Sequence, residues 1–207
     1  MKTKISFMAL GLGLLFTLAC TKYPPATDRL LEDLAVLTQY DVTINFSQYK
    51  TYQMSDSVVV ITDTDSTLVK NGNTMTVVNS IASNMQARGY TRVTKNGDLA
   101  INVAYLKNTH VTAYYPGWYW GYYPPYWYGG YNYNYPYYPV YYTSYTSGTL
   151  LWDMVDLKYP NTEKKLYYIR WNAFIRGLMT GSHTMADISS SINQAFAQTP
   201  QINASGK

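Results

Sequence analysis

The pattern of apolar and polar positions divides the chain at its start. Ile5 to Ala19 is apolar apart from Ser6 and Thr17, and it follows the cations Lys2 and Lys4. A basic start, an apolar run of this length and a small residue at its end make residues 1–19 a secretory signal peptide. The run falls short of the ~20 apolar residues that cross a hydrocarbon core. Residues 20–32, with Pro24, Pro25 and Ala26, read as a tether, and 33–199 as a single domain.

Within that domain two patterns compete over 30–46. Leu30, Leu31, Leu34 and Leu37 fit one helix face, whereas Val42, Ile44 and Phe46 alternate with Thr43 and Asn45. The alternation predicts a strand over 34–46. Val58-Val59-Val60-Ile61 is a β-branched run and predicts a second strand. Val78, Ile81, Ala82 and Met85 recur at i, i+3, i+4 and i+7, which predicts a helix over 75–88 that ends at Gly89. Thr91–Val93 reads as a short strand, and Leu99, Ile101, Val103 and Tyr105 mark a strand over 98–106. Residues 148–158 and 165–176 read as a hairpin turning at Pro160-Asn161, with Tyr167, Ile169, Trp171, Ala173 and Ile175 on one face. Ile188, Ile192, Ala195 and Phe196 predict a helix over 185–198, with Thr184 and Asp187 as its capping residues and Pro200 beyond its end. This order predicts an α+β fold: a mostly antiparallel sheet with two helices on one face.

Composition changes the picture at residues 114–145. Of these 32 residues, 15 are Tyr, 3 Trp, 5 Pro and 4 Gly, and no Asp, Glu, Lys or Arg lies between Lys107 and Asp153. A disordered linker is normally poor in aromatics and rich in charge, and the prolines interrupt any regular helix. The flanks of the segment could extend their neighbouring strands, making it a long aromatic-rich hairpin insertion. Tyr and Trp have an apolar body and a polar tip, which suits a membrane interface. They also give rigid contact area to binding loops, and their rings can stack on sugars. Trp118, Tyr119, Trp120, Tyr126, Trp127 and Tyr128 are the candidate interaction residues, toward an envelope protein, a glycan or a membrane surface. A segment folded back over its own domain is the alternative. Nucleic acid is not expected, because base stacking works with a cationic groove. The formal charge is +4 for the chain and falls to +2 once Lys2 and Lys4 are removed with the signal. That bias is too weak to point to a partner.

Cys20 is the single cysteine, and it stands where the signal should be cut. Leu18-Ala19-Cys20 resembles a lipobox, in which the cysteine becomes the lipid-attachment residue and carries palmitate-type chains. Thr17 stands where leucine is usual. The mature chain of 188 residues then holds no cysteine free for a disulfide, so its fold rests on packing. The expected place is the outer membrane, as a lipoprotein, with the periplasmic face preferred to the cell surface because Thr21-Lys22-Tyr23 carries no acidic run.

Catalytic chemistry has one candidate. Asp63-Thr64-Asp65-Ser66-Thr67 follows an apolar strand and matches the nucleophile motif of haloacid-dehalogenase-type phosphatases. There the first Asp attacks phosphorus and the second works as acid and base beside Mg²⁺. Such an enzyme also needs a parallel βαβ core, a downstream Lys and a later acidic pair. Asp153 and Asp156 have the wrong spacing for that pair, so a polar loop after a strand is the simpler reading. His110 and His183 lack ligand spacing to any partner, and neither a metal nor a cofactor is implied. The expectation is a non-enzymatic protein, with the Asp63/Asp65 phosphohydrolase as the alternative.

Several short stretches carry a family resemblance: Glu32-Asp33-Leu34, Tyr40-Asp41, Asn45-Phe46, Tyr49-Lys50-Thr51-Tyr52, Asp56-Ser57-Val58, Gly89-Tyr90, Asp98-Leu99, Gly148-Thr149-Leu150-Leu151 and Val155-Asp156. In this order, with the lipobox and the Tyr-rich segment, the chain resembles the DUF4136 lipoproteins of Gram-negative bacteria over about 30–199. The resemblance implies a cell-envelope lipoprotein. The family is a domain of unknown function, so it implies no activity, cofactor or catalytic residue.

Overall fold

The computed structural model describes residues 34–62, 65–107, 132–134, 148–179 and 182–206. The compact unit that holds them begins at Asp33. Its strands are β1 (Ala35–Tyr40), β2 (Thr51–Met54), β3 (Val58–Ile61), β4 (Ser66–Val69), β5 (Thr91–Val93), β6 (Leu99–Leu106), β7 (Asn132–Asn134), β8 (Thr149–Asn161) and β9 (Leu166–Arg176). The helices are α1 (Gly72–Ala87) and α2 (Met185–Ala197), and a 3-10 turn covers Phe46–Gln48.

All nine strands join one sheet, with a spine in the order β1-β9-β8-β6-β2-β5. The long pairings β1·β9, β9·β8 and β8·β6 are antiparallel, as expected. The sheet is nonetheless mixed, because β2 and β3 both run parallel to β6. They lie end to end along it, β2 beside Leu99–Ile101 and β3 beside Ala104–Leu106. β9 is flanked in the same way, by β1 along Trp171–Arg176 and by β7, parallel, along Leu166–Tyr168.

The helices form where the sequence caps them. Asn71 accepts from the Thr74 N–H while the Thr74 hydroxyl accepts from Asn71 N–H, and Thr184 with Asp187 closes the same box on α2. Such boxes satisfy amide donors that a helix start leaves unpaired. Gly89 ends α1 at φ +82°, a conformation that costs glycine little. Both helices bury their stripes on one face of the sheet, against Leu99, Ile101, Val103, Trp152, Met154, Trp171, Ala173 and Ile175. At its centre Trp171 and Phe196 ring centroids lie 4.8 Å apart, and Trp152 and Trp171 5.8 Å apart. Each such side chain contributes about 1.5–3 kcal/mol when fully buried.

The opposite face is buried too. Val59, Ile61, Ala100, Ala104, Leu106, Leu151, Val155, Ile169 and Phe174 form a second apolar cluster there. Among the described residues no helix packs on it. A polar row crosses this face in register, Asn102 beside Asp153 and Asp153 beside Asn172, with Gln39 next on β1. All four are engaged in contacts.

Three expectations need correction. The strand expected over 34–46 ends at Tyr40, because the Asp41 carboxylate accepts from Thr43 N–H and hydroxyl and turns the chain. Val42, expected on an apolar face, is 79% exposed. The hairpin turns after Asn161 rather than at Pro160-Asn161, with Lys165 at φ +49°. The apolar residues of β9 do not share one face: Trp171, Ala173 and Ile175 meet the helices, while Ile169 and Tyr167 belong to the other side. A β-bulge at Arg170 makes the switch, since Met154 pairs with Trp171 and Val155 with Ile169. An extra residue in one strand re-aims the side chains that follow.

Candidate functional site

The bulge places Arg170 in a buried ionic cluster. Its Nε and Nη2 donate to Asp156 Oδ2 at 3.0 and 2.9 Å, and its Nη1 donates to Asp41 Oδ2 at 2.7 Å. The Tyr49 hydroxyl donates to the same Asp156 Oδ2 at 2.7 Å. Asp156 Oδ1 accepts the backbone N–H groups of Lys158 and Tyr159. The Tyr168 ring lies 4.6 Å from the guanidinium carbon. Asp156 is fully buried and Arg170 nearly so.

Burial alone would lower the Arg170 pKa, but the hydrogen bond and charge of Asp156, joined by Tyr49 and Asp41, hold it above the ordinary value. Burial also pushes the Tyr49 hydroxyl well above the usual phenol range, and the neighbouring Asp156 charge adds to this. Both groups therefore keep their resting protonation near neutral pH. Every oxygen of Asp156 is occupied, so the cluster acts as a clamp joining β1, the 3-10 region, β8 and β9.

A second clamp lies at Asp98. Its carboxylate accepts from the backbone N–H groups of Lys50 and Thr51 and pairs with Lys158 at 3.4 Å. Burial tends to raise its pKa, yet these donors together keep it below the usual carboxylate range. A third lies in the break between β2 and β3, where Asp56 meets Lys70 at 3.2 Å and Arg92 at 2.8 Å.

Two concavities border the helices. One, about 240 Å³ and chiefly apolar, lies among Val58, Val77, Tyr105, Leu150, Leu178 and Met185. Leu178 of its lining donates its backbone N–H to Gly148 O at 3.0 Å, and the φ of +88° at Gly148 and the closeness of the Met179 backbone leave no room for a Cβ. The other, about 440 Å³ and more polar, runs between α1 and the β2–β5 edge.

Of the residues singled out in the sequence, Cys20, Asp63, His110, Trp118, Tyr119, Trp120, Tyr126, Trp127 and Tyr128 lie outside the described residues. Asp65 sits in the turn joining β3 to β4, where its carboxylate accepts from Ser66 N–H. The strand that follows runs antiparallel to β3, not through a parallel βαβ crossover. His183 precedes α2, and its Nε2 is shielded without a hydrogen-bond partner. Among the described residues no three His, Cys, Asp or Glu are placed to share a metal ion. Nor is any described helix long and apolar enough to cross a membrane. Within the aromatic segment, Asn132–Asn134 forms β7 beside Leu166–Tyr168, so this stretch joins the sheet. A hairpin made by the flanks of the segment lies outside the described residues.

The clamp residues had a signal of a different kind. Asp41, Tyr49, Asp56, Asp98 and Asp156 all fall in the short stretches that carry the family resemblance, though nothing in the sequence linked them to Arg170.

The fold thus defines a class: an α+β domain with a mixed sheet, two helices on one face and polar clamps between its strands. The chain belongs to the DUF4136 family, a domain of unknown function, whose model matches residues 36–201. A crystal structure of a DUF4136 family protein from Bacteroides thetaiotaomicron is similar, with 27% identity and a TM-score of 0.69 over 83% of this chain and 98% of that one. Weaker likenesses join it to a PelC dodecamer from Paraburkholderia phytofirmans (12% identity, TM-score 0.39, 83% and 98% covered) and a PDZ domain protein from Parabacteroides distasonis (15%, 0.40, 79% and 34%). No curated protein matches the chain.

Proposed function

We propose that the protein is a lipid-anchored component of the cell envelope that works by binding rather than catalysis. Cys20 is the anchor, the periplasmic face of the outer membrane is the place, and the aromatic stretch Trp118–Tyr128 is the contact surface toward an envelope protein, a glycan or a membrane. One observation supports this reading above the rest. Leu106 and Thr149 are register partners on adjacent strands, so the chain between them departs from and returns to neighbouring points of the sheet, with β7 as its one described contact with β9, as a binding loop on a scaffold does. The helix-side core draws on α1, α2, β6, β8 and β9. The sequence reading of residues 1–19 and Cys20 supports the anchor.

The test replaces Trp118, Trp120 and Trp127 with Ala, leaving β7 in place. In pull-downs of the lipidated protein from its own envelope, the triple variant should lose captured material and keep its cooperative melting transition. A companion replaces residues 116–139 with an Asn-Gly turn; it removes β7 and its pairing with β9 as well, so it counts for the reading only if the fold is kept and capture is lost, loop closure itself depending weakly on length. Loss of the fold in the triple variant would assign the rings to the core. Unchanged capture would remove this stretch as the contact surface.

A further inference from the structure

Apart from Arg92, which pairs with Asp56, the residues lining the groove between α1 and the β2–β5 edge have no role in the clamps. Asn79, Ser83 and Gln86 stand on α1 at i, i+4 and i+7, which places them along one side. Thr91 and Arg92 of β5 face them, Ala82 provides a small apolar patch, and Tyr52 and Tyr90 form the floor. Asn79, Ser83, Gln86 and Thr91 are exposed, and no hydrogen bond within the described residues occupies their side chains. The two tyrosines differ. The Tyr90 hydroxyl donates to the Phe46 carbonyl oxygen at 3.3 Å. Tyr52 is only 1% exposed, yet its hydroxyl keeps some access to solvent and has no partner among the described residues. The groove is therefore where that hydroxyl opens. A hydroxyl that opens there needs a partner in the groove, which water or a ligand oxygen supplies.

The charge of the lining narrows the ligand. No carboxylate lines the groove, which excludes a cation. Arg92 spends Nη2 on Met54 O and on Asp56, which Lys70 also pairs. Two cations on one carboxylate (+1 +1 −1) leave a net charge of +1, too little to hold a polyanion, and the Nε and Nη1 donors of Arg92 remain for an oxygen acceptor. Amides and hydroxyls on both sides, a phenol below and one small apolar patch suit a compact molecule dense in neutral hydroxyl groups. A volume of about 440 Å³ falls in the usual range for small-molecule sites, roughly 300–1,000 Å³. We propose that this groove is a binding site for a neutral saccharide unit of one or two rings, separate from the aromatic segment and independent of its role.

The experiment uses the full-length protein, labelled with nitrogen-15, and follows its backbone amide signals while probes are added to millimolar concentration. The probes are glucose, maltose, cellobiose, N-acetylglucosamine and its β-1,4-linked dimer, with sulfate and a capped extended tetrapeptide as controls. At least one saccharide should give saturable shifts at Ser83, Thr91 and Arg92. Asn79→Ala with Gln86→Ala, both on the exposed face of α1, should weaken that binding about tenfold or more without changing the melting temperature. Tyr52→Phe removes only the unpartnered hydroxyl, so stability should hold or rise while saccharide affinity falls. A purely structural Tyr52 would instead lose stability on that change. Silence from every saccharide overturns the proposal. So does a response to sulfate alone, which would make the groove an anion site, or to the tetrapeptide alone, which would make β5 a strand-docking edge. Saccharide binding that survives the double substitution also overturns it.

Discussion

Replacing Arg170 with Met tests whether the buried cluster holds the domain together. The substitution keeps much of the aliphatic stem and removes the guanidinium. Asp156 Oδ2 then loses two of its three side-chain donors, and Asp41 Oδ2 loses its 2.7 Å partner. Two buried carboxylates are left without the cation that joins them. Removing one partner of a buried pair typically costs about 3–5 kcal/mol, because the remaining charge cannot be solvated. For a domain of this size each kcal/mol moves the melting temperature by about 2–4 °C, so a fall of roughly 6–20 °C is expected. Thermal melts followed by circular dichroism measure it directly. Two companions sharpen the reading. Arg170→Lys keeps the charge but cannot fork to both carboxylates, so it should recover only part of the loss. Tyr49→Phe removes one hydrogen bond to a charged acceptor and should cost about 1.5–3 kcal/mol. A loss below about 1 kcal/mol for Arg170→Met, or full stability in Arg170→Lys, would refute the clamp.

Three further outcomes are expected. Tyr49, Tyr52 and Tyr90 are buried, and burial raises each of their pKa values in the folded state. Their unfolded counterparts ionise near pH 10, so stability should be full below about pH 10 and fall above it by about 1.4 kcal/mol per pH unit for each tyrosine. A melting temperature flat between about pH 9 and 11 would contradict this. Cys20→Ser should abolish fatty-acid labelling and leave an uncleaved or soluble product, and normal labelling would remove Cys20 as the anchor. The protein should show no Mg²⁺-dependent hydrolysis of general phosphate esters, and turnover that disappears in Asp63→Asn with the fold intact would restore the enzyme reading.

Local rules account for what the sequence made legible. Thr184 with Asp187 announces one helix start, and the stripes through Ile81 and Ile192 announce the buried faces, while the Asn71–Thr74 box starts α1 at Gly72, three residues before the expected 75. The β-branched run of β3 and the alternation of β6 mark strands, and strands followed by capped helices implied the α+β class. What stayed hidden depends on distant partners. β2 is four residues, Thr51–Met54, with a buried Gln53, so its pattern signals nothing until β5 and β6 flank it. β4 follows an acidic turn that drew attention to chemistry instead. The bulge at Arg170 has no local signature. It exists because Asp41 and Asp156, 115 positions apart in the numbering, meet the same guanidinium. The groove lining was equally invisible, since Tyr52 and Gln86 look like an ordinary strand aromatic and an ordinary helix-surface amide. Trp118, Tyr119, Trp120, Tyr126, Trp127 and Tyr128 stand out by composition alone.

The pairing of β1 with β9 sets the order in which the chain can be assembled. Ala35 lies opposite Arg176, so the first strand made is among the last to find its place. Contacts of such sequence separation are slow to form, because a long loop must close before any contact rewards it. A chain that emerges from its N-terminus must carry β1 unpaired until β8 and β9 have followed and turned. Throughout that interval Leu37 and the open backbone of the strand are available to the wrong neighbour. Holding that end apart from other copies until the hairpin arrives would favour correct closure over aggregation.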